Sequence, residues 1–207
     1  EVSGISYIQF LAPGLITMTL INRSFSNPAF ALIISKFSGT ISDLLIAPLR
    51  GDQIVFAYVG AAVVRALFTA FITFIVIFLL FAHLTVHNIY LVLIGSILTS
   101  CFFGSLGVIF GYYAKQFDSL TLMTTFLMTP MSFLGGVFYP LSNLSEPWKT
   151  ISLFNPMLYF IDFLRFSFIG ISFVPPIYSL GVAILSNIIL FPLAVILFSR
   201  GKRLTVL

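Results

Sequence analysis

Long stretches without charge set the pattern of this chain. Residues 2–22, 66–114, 119–145 and 166–199 contain no Asp, Glu, Lys or Arg. Each is long enough for the ~20 apolar residues that one membrane crossing needs. The 66–114 stretch exceeds one helix and breaks at His83-Leu-Thr-Val-His87-Asn88, so it holds two. The pattern predicts helices near 8–30, 56–82, 89–113, 119–139 and 176–199. The runs are too long for barrel strands and lack their strict alternation. The expected fold class is therefore an all-α integral membrane protein with five transmembrane helices.

Residues 151–171 (ISLFNPMLYFIDFLRFSFIGI) compete for a sixth crossing. Asn155-Pro156 and the charges of Asp162 and Arg165 oppose it, because a charge near the bilayer centre costs several kcal/mol. Short re-entrant helices that dip into the outer half of the membrane fit better. On such a helix Asp162 and Arg165, three apart, are expected to pair at the interface. Tyr139, Trp148 and Tyr159 suit that depth as interfacial aromatics.

Composition agrees with this reading. Hydrophobic residues make up 59% and charged residues 8%, with 25 Phe, against ~25% charged in soluble domains. Mean hydropathy is +1.14. A soluble core of 207 residues cannot hide that much apolar surface. The net charge of +4 is dispersed over several loops, so nucleic acid is not an expected partner. The lone cysteine, Cys101, has no intrachain disulfide partner. The chain starts with Glu1 rather than Met, which points to a start inside a longer polypeptide.

Lys and Arg in short loops orient the spans. With five crossings and the Arg200, Lys202 and Arg203 tail in the cytoplasm, Lys36, Arg50 and Lys115 also fall inside. Lys149 and Arg165 fall outside, and so does Glu1. A sixth span would erase most of this bias.

The inner loop at 36–55 reads KFSGTISDLLIAPLRGDQIV. Thr40 and Asp43 have capping-box spacing. Ile41, Leu44 and Leu45 fall on one face of the short helix that follows, Pro48 ends it, and Asp52 is placed to cap the next span. A rigidly held amphipathic helix between two spans suits docking on a partner; lying on the lipid surface is the alternative. Arg23 and Arg65 lie within spans, in their cytoplasmic halves. Intramembrane Arg marks an inner gate or dimer contact, unless it snorkels to the headgroups.

At the outer end, Gly135-Gly136 permits a break or a close helix approach, and Pro140 stops the helix. The run GGVFYPLSNLSEPWKTISLFNPMLYFIDFLR resembles the signature region of ABC-2-type exporter permeases. The matching positions are Gly135, Gly136, Phe138, Pro140, Leu141, Pro147, Trp148, Asn155, Pro156, Tyr159 and Arg165. The stretch Phe10-Leu-Ala-Pro-Gly-Leu15 and the loop Ile41-Ser-Asp-Leu-Leu-Ile-Ala-Pro48 also look like this family, especially its bacterial drug- and polysaccharide-exporter-like branch. The resemblance covers nearly the whole chain.

The resemblance implies a bacterial inner-membrane permease of six spans, working as a homodimer with two ATP-binding subunits. ATP and Mg belong to those partners, and this chain binds no cofactor. The loop at 36–55 would be the coupling loop that docks on the ATPase, with Thr40, Ile41, Asp43, Leu44, Leu45, Pro48 and Arg50 as its residues. Residues 135–175 would be the outer re-entrant segment. The family's N-terminal interfacial helix and first span are lacking here, so the five spans correspond to family spans two to six. A hydrophobic, lipid-linked or drug-like cargo leaving the cytoplasm or inner leaflet is the expectation.

Other chemistry has little support. There is no Gly-x-x-x-x-Gly-Lys-[Ser/Thr] run to cradle ATP phosphates. His83 and His87 have helical ligand spacing, but no nearby Cys or acid completes a metal site. No Gly-x-Ser-x-Gly nucleophile context is present. Asn143-Leu-Ser145 matches a glycosylation sequon, which matters only in a eukaryotic secretory setting. An ATP-independent permease or channel subunit is the first alternative. A membrane-embedded lipid-modifying enzyme is the second, and it would need clustered acids or His that this chain only scatters.

Overall fold

The computed structural model describes residues 6–81 and 86–199. Glu1, His83 and the Arg200, Lys202 and Arg203 tail lie outside the described residues. The described residues form helices and no strand.

The first helix, α1 (Tyr7–Phe37), is longer than the 8–30 stretch expected and continues through Pro13 and Pro28. Each ring deletes one backbone hydrogen bond. Close packing compensates: α1 lies against α4, α3 and α8, and a continuous set from Phe10 to Ile33 is buried. A short helix, α2 (Thr40–Ile46), follows, and α3 (Gly51–Phe81) starts five residues before the expected position. Next, α4 (Ile89–Tyr113) has the expected ends, because the Asn88 side chain caps the Tyr90 and Leu91 N–H groups.

The fourth expected span is one helical stretch in three parts. These are α5 (Phe117–Met123), a π-helical turn (Thr124–Met128) and α6 (Thr129–Leu134). Pro130 explains the wide turn: its ring clashes with the carbonyl four residues back, and an expanded turn absorbs the misfit. The helix ends at Leu134 rather than near 139, because Gly136 turns left-handed at φ 78°. Two further helices, α7 (Glu146–Leu153) and α8 (Pro156–Ile169), precede α9 (Pro176–Ser199), which matches its expected range.

Close approach of α1 and α4 rests on Gly107 and Gly111, four apart on α4. A Cβ on Gly107 would overlap the Phe25 carbonyl, and one on Gly111 would sit 3.0 Å from the Ala29 Cα. Small residues at this spacing let membrane helices pack by van der Waals contact, where no hydrophobic effect drives them together. Above this contact, Phe102, Phe103 and Phe160 join α4 to α8 with ring centroids 4.9–5.5 Å apart. Below it, Ile41 of α2 shares a core with Val55, Val59, Tyr112 and Phe198.

Three helices among the described residues, α3, α4 and α9, are long and apolar enough to cross a membrane. Of these, α4 is the enclosed one, while α3 and α9 present mostly exposed apolar side chains.

Candidate functional site

The expected helix in the 36–55 loop is present, but it is capped and oriented differently. Thr40 is its first residue, and Gly39, left-handed at φ 76°, occupies the cap. No Thr40–Asp43 capping box forms: the Thr40 hydroxyl bonds instead to Ser38 Oγ at 3.0 Å. Pro48 acts as expected, holding Ala47 in the extended region where α2 ends. The α3 start is capped by Gln53, whose Oε1 accepts the Arg50 N–H at 3.0 Å. Asp52 pairs with Arg50 Nε at 3.3 Å instead of capping.

Ile41 is buried and Leu44 packs against the same core, so the apolar face expected to dock is what ties α2 to its own chain. The Leu45 side chain lies outside the description. Exposed on α2 and its exit are Thr40, Ser42, Asp43, Ile46, Pro48, Leu49 and Arg50. Ile46 at 82% exposure is the extreme case.

Lys36 matters beyond its charge. Its Nζ donates to the carbonyls of Gly111 (2.9 Å), Tyr112 (2.6 Å) and Ala114 (3.0 Å). A cation on the final carbonyls of α4 completes that helix end. It also fastens the end of α1, next to α2, to the start of the α4–α5 connection.

The block from Gly135 to Arg165 is a polar lock. Ending α6 at Gly135-Gly136 leaves carbonyls without helical partners, and in an apolar setting each must be met. Three distant side chains donate to carbonyls around this end, and one of those carbonyls, at Met131, also accepts the Gly135 N–H in the helical pattern. Asn155 Nδ2 donates to the Met131 carbonyl at 2.6 Å. Arg165 Nη2 donates to the Gly136 carbonyl at 2.7 Å and, more weakly, to Val137 at 3.5 Å. Tyr7 Oη donates to the Phe138 carbonyl at 3.0 Å. Asn155 also caps α8 through the Met157 N–H, with Pro156 in the first turn, where its missing N–H costs nothing.

Arg165 is 1% exposed and lies over the Phe10 ring, 4.1 Å from its centroid. Asp162 is fully buried and accepts the N–H groups of Phe173 (2.9 Å) and Val174 (3.0 Å). The direct Asp162–Arg165 ion pair expected from their spacing does not form. Freed backbone groups on two different loops claim each charge first. Tyr159 Oη reaches the Leu153 carbonyl, tying α8 back to α7. Trp148 on α7 and Phe138 beside the break complete the block; Trp148 is 52% exposed. His87 packs edge-on against Phe166 of α8.

Arg23 and Arg65 behave differently. Both are exposed, on α1 and α3, and neither side chain has a hydrogen-bond or ion-pair partner among the described residues. Each lies 14 residues from the α2 end of its helix, ~21 Å along the axis. Arg65 lines a cavity of about 450 Å³ between α1, α2 and α3, with Asn27 opposite.

Comparison with known proteins fits these features. Residues 2–169 match the family model for the ABC-2 type transporter. The chain is 36% identical over 204 residues to the inner membrane transport permease YadH of Escherichia coli K12, covering 99% of this chain and 79% of that one. It is 28% identical over 173 residues to nodulation protein J of Rhizobium leguminosarum bv. viciae, covering 82% and 66%. The homologous protein of the trifolii biovar is 27% identical over 203 residues, covering 97% and 76%. An all-helical apolar chain whose signature block closes a helix break, matched along most of its length by these transport permeases, belongs to the ABC-2 type transporter family as a membrane transport subunit.

Proposed function

We propose that the chain is the permease half of an ATP-driven exporter in a bacterial inner membrane. Two copies form the pathway, and two separate ATP-binding subunits holding ATP and Mg dock from the cytoplasm. The five crossings are α1, α3, α4, the α5–α6 stretch and α9. At ~46 Å, α1 exceeds the ~30 Å hydrocarbon core, and the α5–α6 stretch at ~27 Å nearly matches it. With ~21 Å, α8 falls short of a crossing and serves as a re-entrant outer element. On this topology Glu1 lies outside, while α2 and the C-terminal tail lie inside. The cargo is hydrophobic, lipid-linked or drug-like.

The observation that carries this reading is the two-faced α2. Ile41 anchors it in the core under α3 and α9, while Ile46 and Leu49 stand exposed on a loop locked to α4 through Lys36. A push on that exposed face passes into two spans at once. Replacing Ile46 and Leu49 together with Glu should abolish retention of the co-expressed ATPase while the permease stays folded and monodisperse. Undiminished ATPase retention by that double variant would refute the docking role.

A further inference from the structure

The cavity between α1, α2 and α3 is built unevenly. At the loop end it is walled by Leu44 and Leu49; along α3, Ala57, Ala61 and Arg65 follow one another at four-residue spacing. The alanines keep the wall low, and Arg65 stands at its inner end beside Asn27 of α1. Arg23 lies one turn before Asn27 on the same face of α1. Of the two arginines, Arg65 lines the cavity, whose other polar side chains are Asn27, Gln53 and Tyr58.

No acid among the described residues pairs with Arg23 or Arg65. Its acids are Glu1, Asp43, Asp52, Asp118, Glu146 and Asp162. Asp43 is on α2, and Asp52, Asp118 and Glu146 lie in the first turns of α3, α5 and α7. Glu1 precedes α1, and Asp162 is buried and occupied by backbone N–H groups. Within the described residues Arg65 therefore has no counter-charge. An uncompensated Arg inside a membrane is costly enough to need one.

We infer that this cavity recognises an acidic amphiphile, a phosphate or carboxylate head on an apolar body. Arg65 reads the charge, Asn27 adds a hydrogen bond, and the alanine wall takes the apolar body. This rests on the exporter reading and narrows its cargo class.

Labelled dodecyl phosphate and dodecyl glucoside, which differ in head charge, test it by binding to the full-length permease in phosphatidylcholine nanodiscs, with empty discs subtracted. The wild type should prefer the phosphate by at least ~10-fold, the size of one charge-assisted hydrogen bond. Arg65→Gln should reduce that preference to within ~2-fold, and Arg65→Lys should keep most of it. Ala61→Phe, which fills the cavity and leaves the charge, should lower retention of both probes. Equal retention of the two by wild type, or a preference that Arg65→Gln leaves intact, would overturn the inference. Phosphatidylglycerol added to the disc should compete if the natural ligand is a membrane lipid and fail to compete if it is a soluble amphiphile; either result keeps the charge reading. Because no ATPase enters the assay, the preference can survive failure of the exporter reading. It can equally fail in a permease that retains its ATPase.

Discussion

Arg165 and Arg65 place the same guanidinium in an apolar helical bundle with opposite outcomes. Arg165 is enclosed, stacked on Phe10 and spent on carbonyls that a helix break left open. Arg65 is exposed on a cavity wall and meets no acid or carbonyl among the described residues. An arginine whose donors answer backbone groups maintains architecture. One left open in a place where charge is costly is kept for something outside the chain. The block at the α6 break is thus the closed half, its buried charges turned on its own backbone although Arg165 Nε stays without a partner, and the α1–α3 face is the open half.

The largest expected effect tests the closed half. Arg165→Met removes a charge-assisted bond, leaves the Gly136 carbonyl unmet and loses the Phe10 stack. About 3 kcal/mol of stability should disappear, measured by denaturant unfolding in micelles. A loss below ~0.5 kcal/mol would mean that the lock is ornamental. Asp162→Asn should cost about 2 kcal/mol, because a neutral amide offers one acceptor oxygen where the carboxylate receives Phe173 and Val174 through two. Lys36→Met should cost about 1 kcal/mol, since some of the carbonyls it frees at the α4 end can reach water. Faster hydrogen exchange at residues 111–116 in that variant would confirm the site of the loss. The smallest effect belongs to the open half: Arg23→Gln should shift stability by less than ~0.5 kcal/mol while lowering transport. A large destabilisation there would erase the contrast.

Much of this was legible from the residues. The ends of α4 and α9 follow from local punctuation, a capping Asn88 and the Pro175-Pro176 pair. By contrast, α1 runs seven residues past the expected 30, and α3 starts five before the expected 56. Lys36 stays helical because its amine reaches carbonyls 75–78 residues away, which no local pattern encodes. Gln53 rather than Asp52 caps α3 because Asp52 is drawn to its near neighbour Arg50. The spacing of Asp162 and Arg165 invited a pair, but the carbonyl at Gly136 and the N–H groups at Phe173 and Val174 enter only once the chain has folded. Ile41 and Leu44, two residues of the expected apolar face of α2, pack into the chain's own core. Periodicity identifies an apolar stripe without saying whether the chain's own core or a partner covers it. The Gly107–Gly111 spacing was the one visible signal left unused, and it marks where α1 and α4 touch.

Native mass spectrometry of the full-length permease, co-expressed with the P-loop ATPase encoded nearest to it, tests the central claim most directly. The account predicts an assembly of two permeases and two ATPases that loses its ATPases when Ile46 and Leu49 are replaced with Glu. A stable permease assembly that never retains an ATPase, even with ATP hydrolysis blocked, would contradict it.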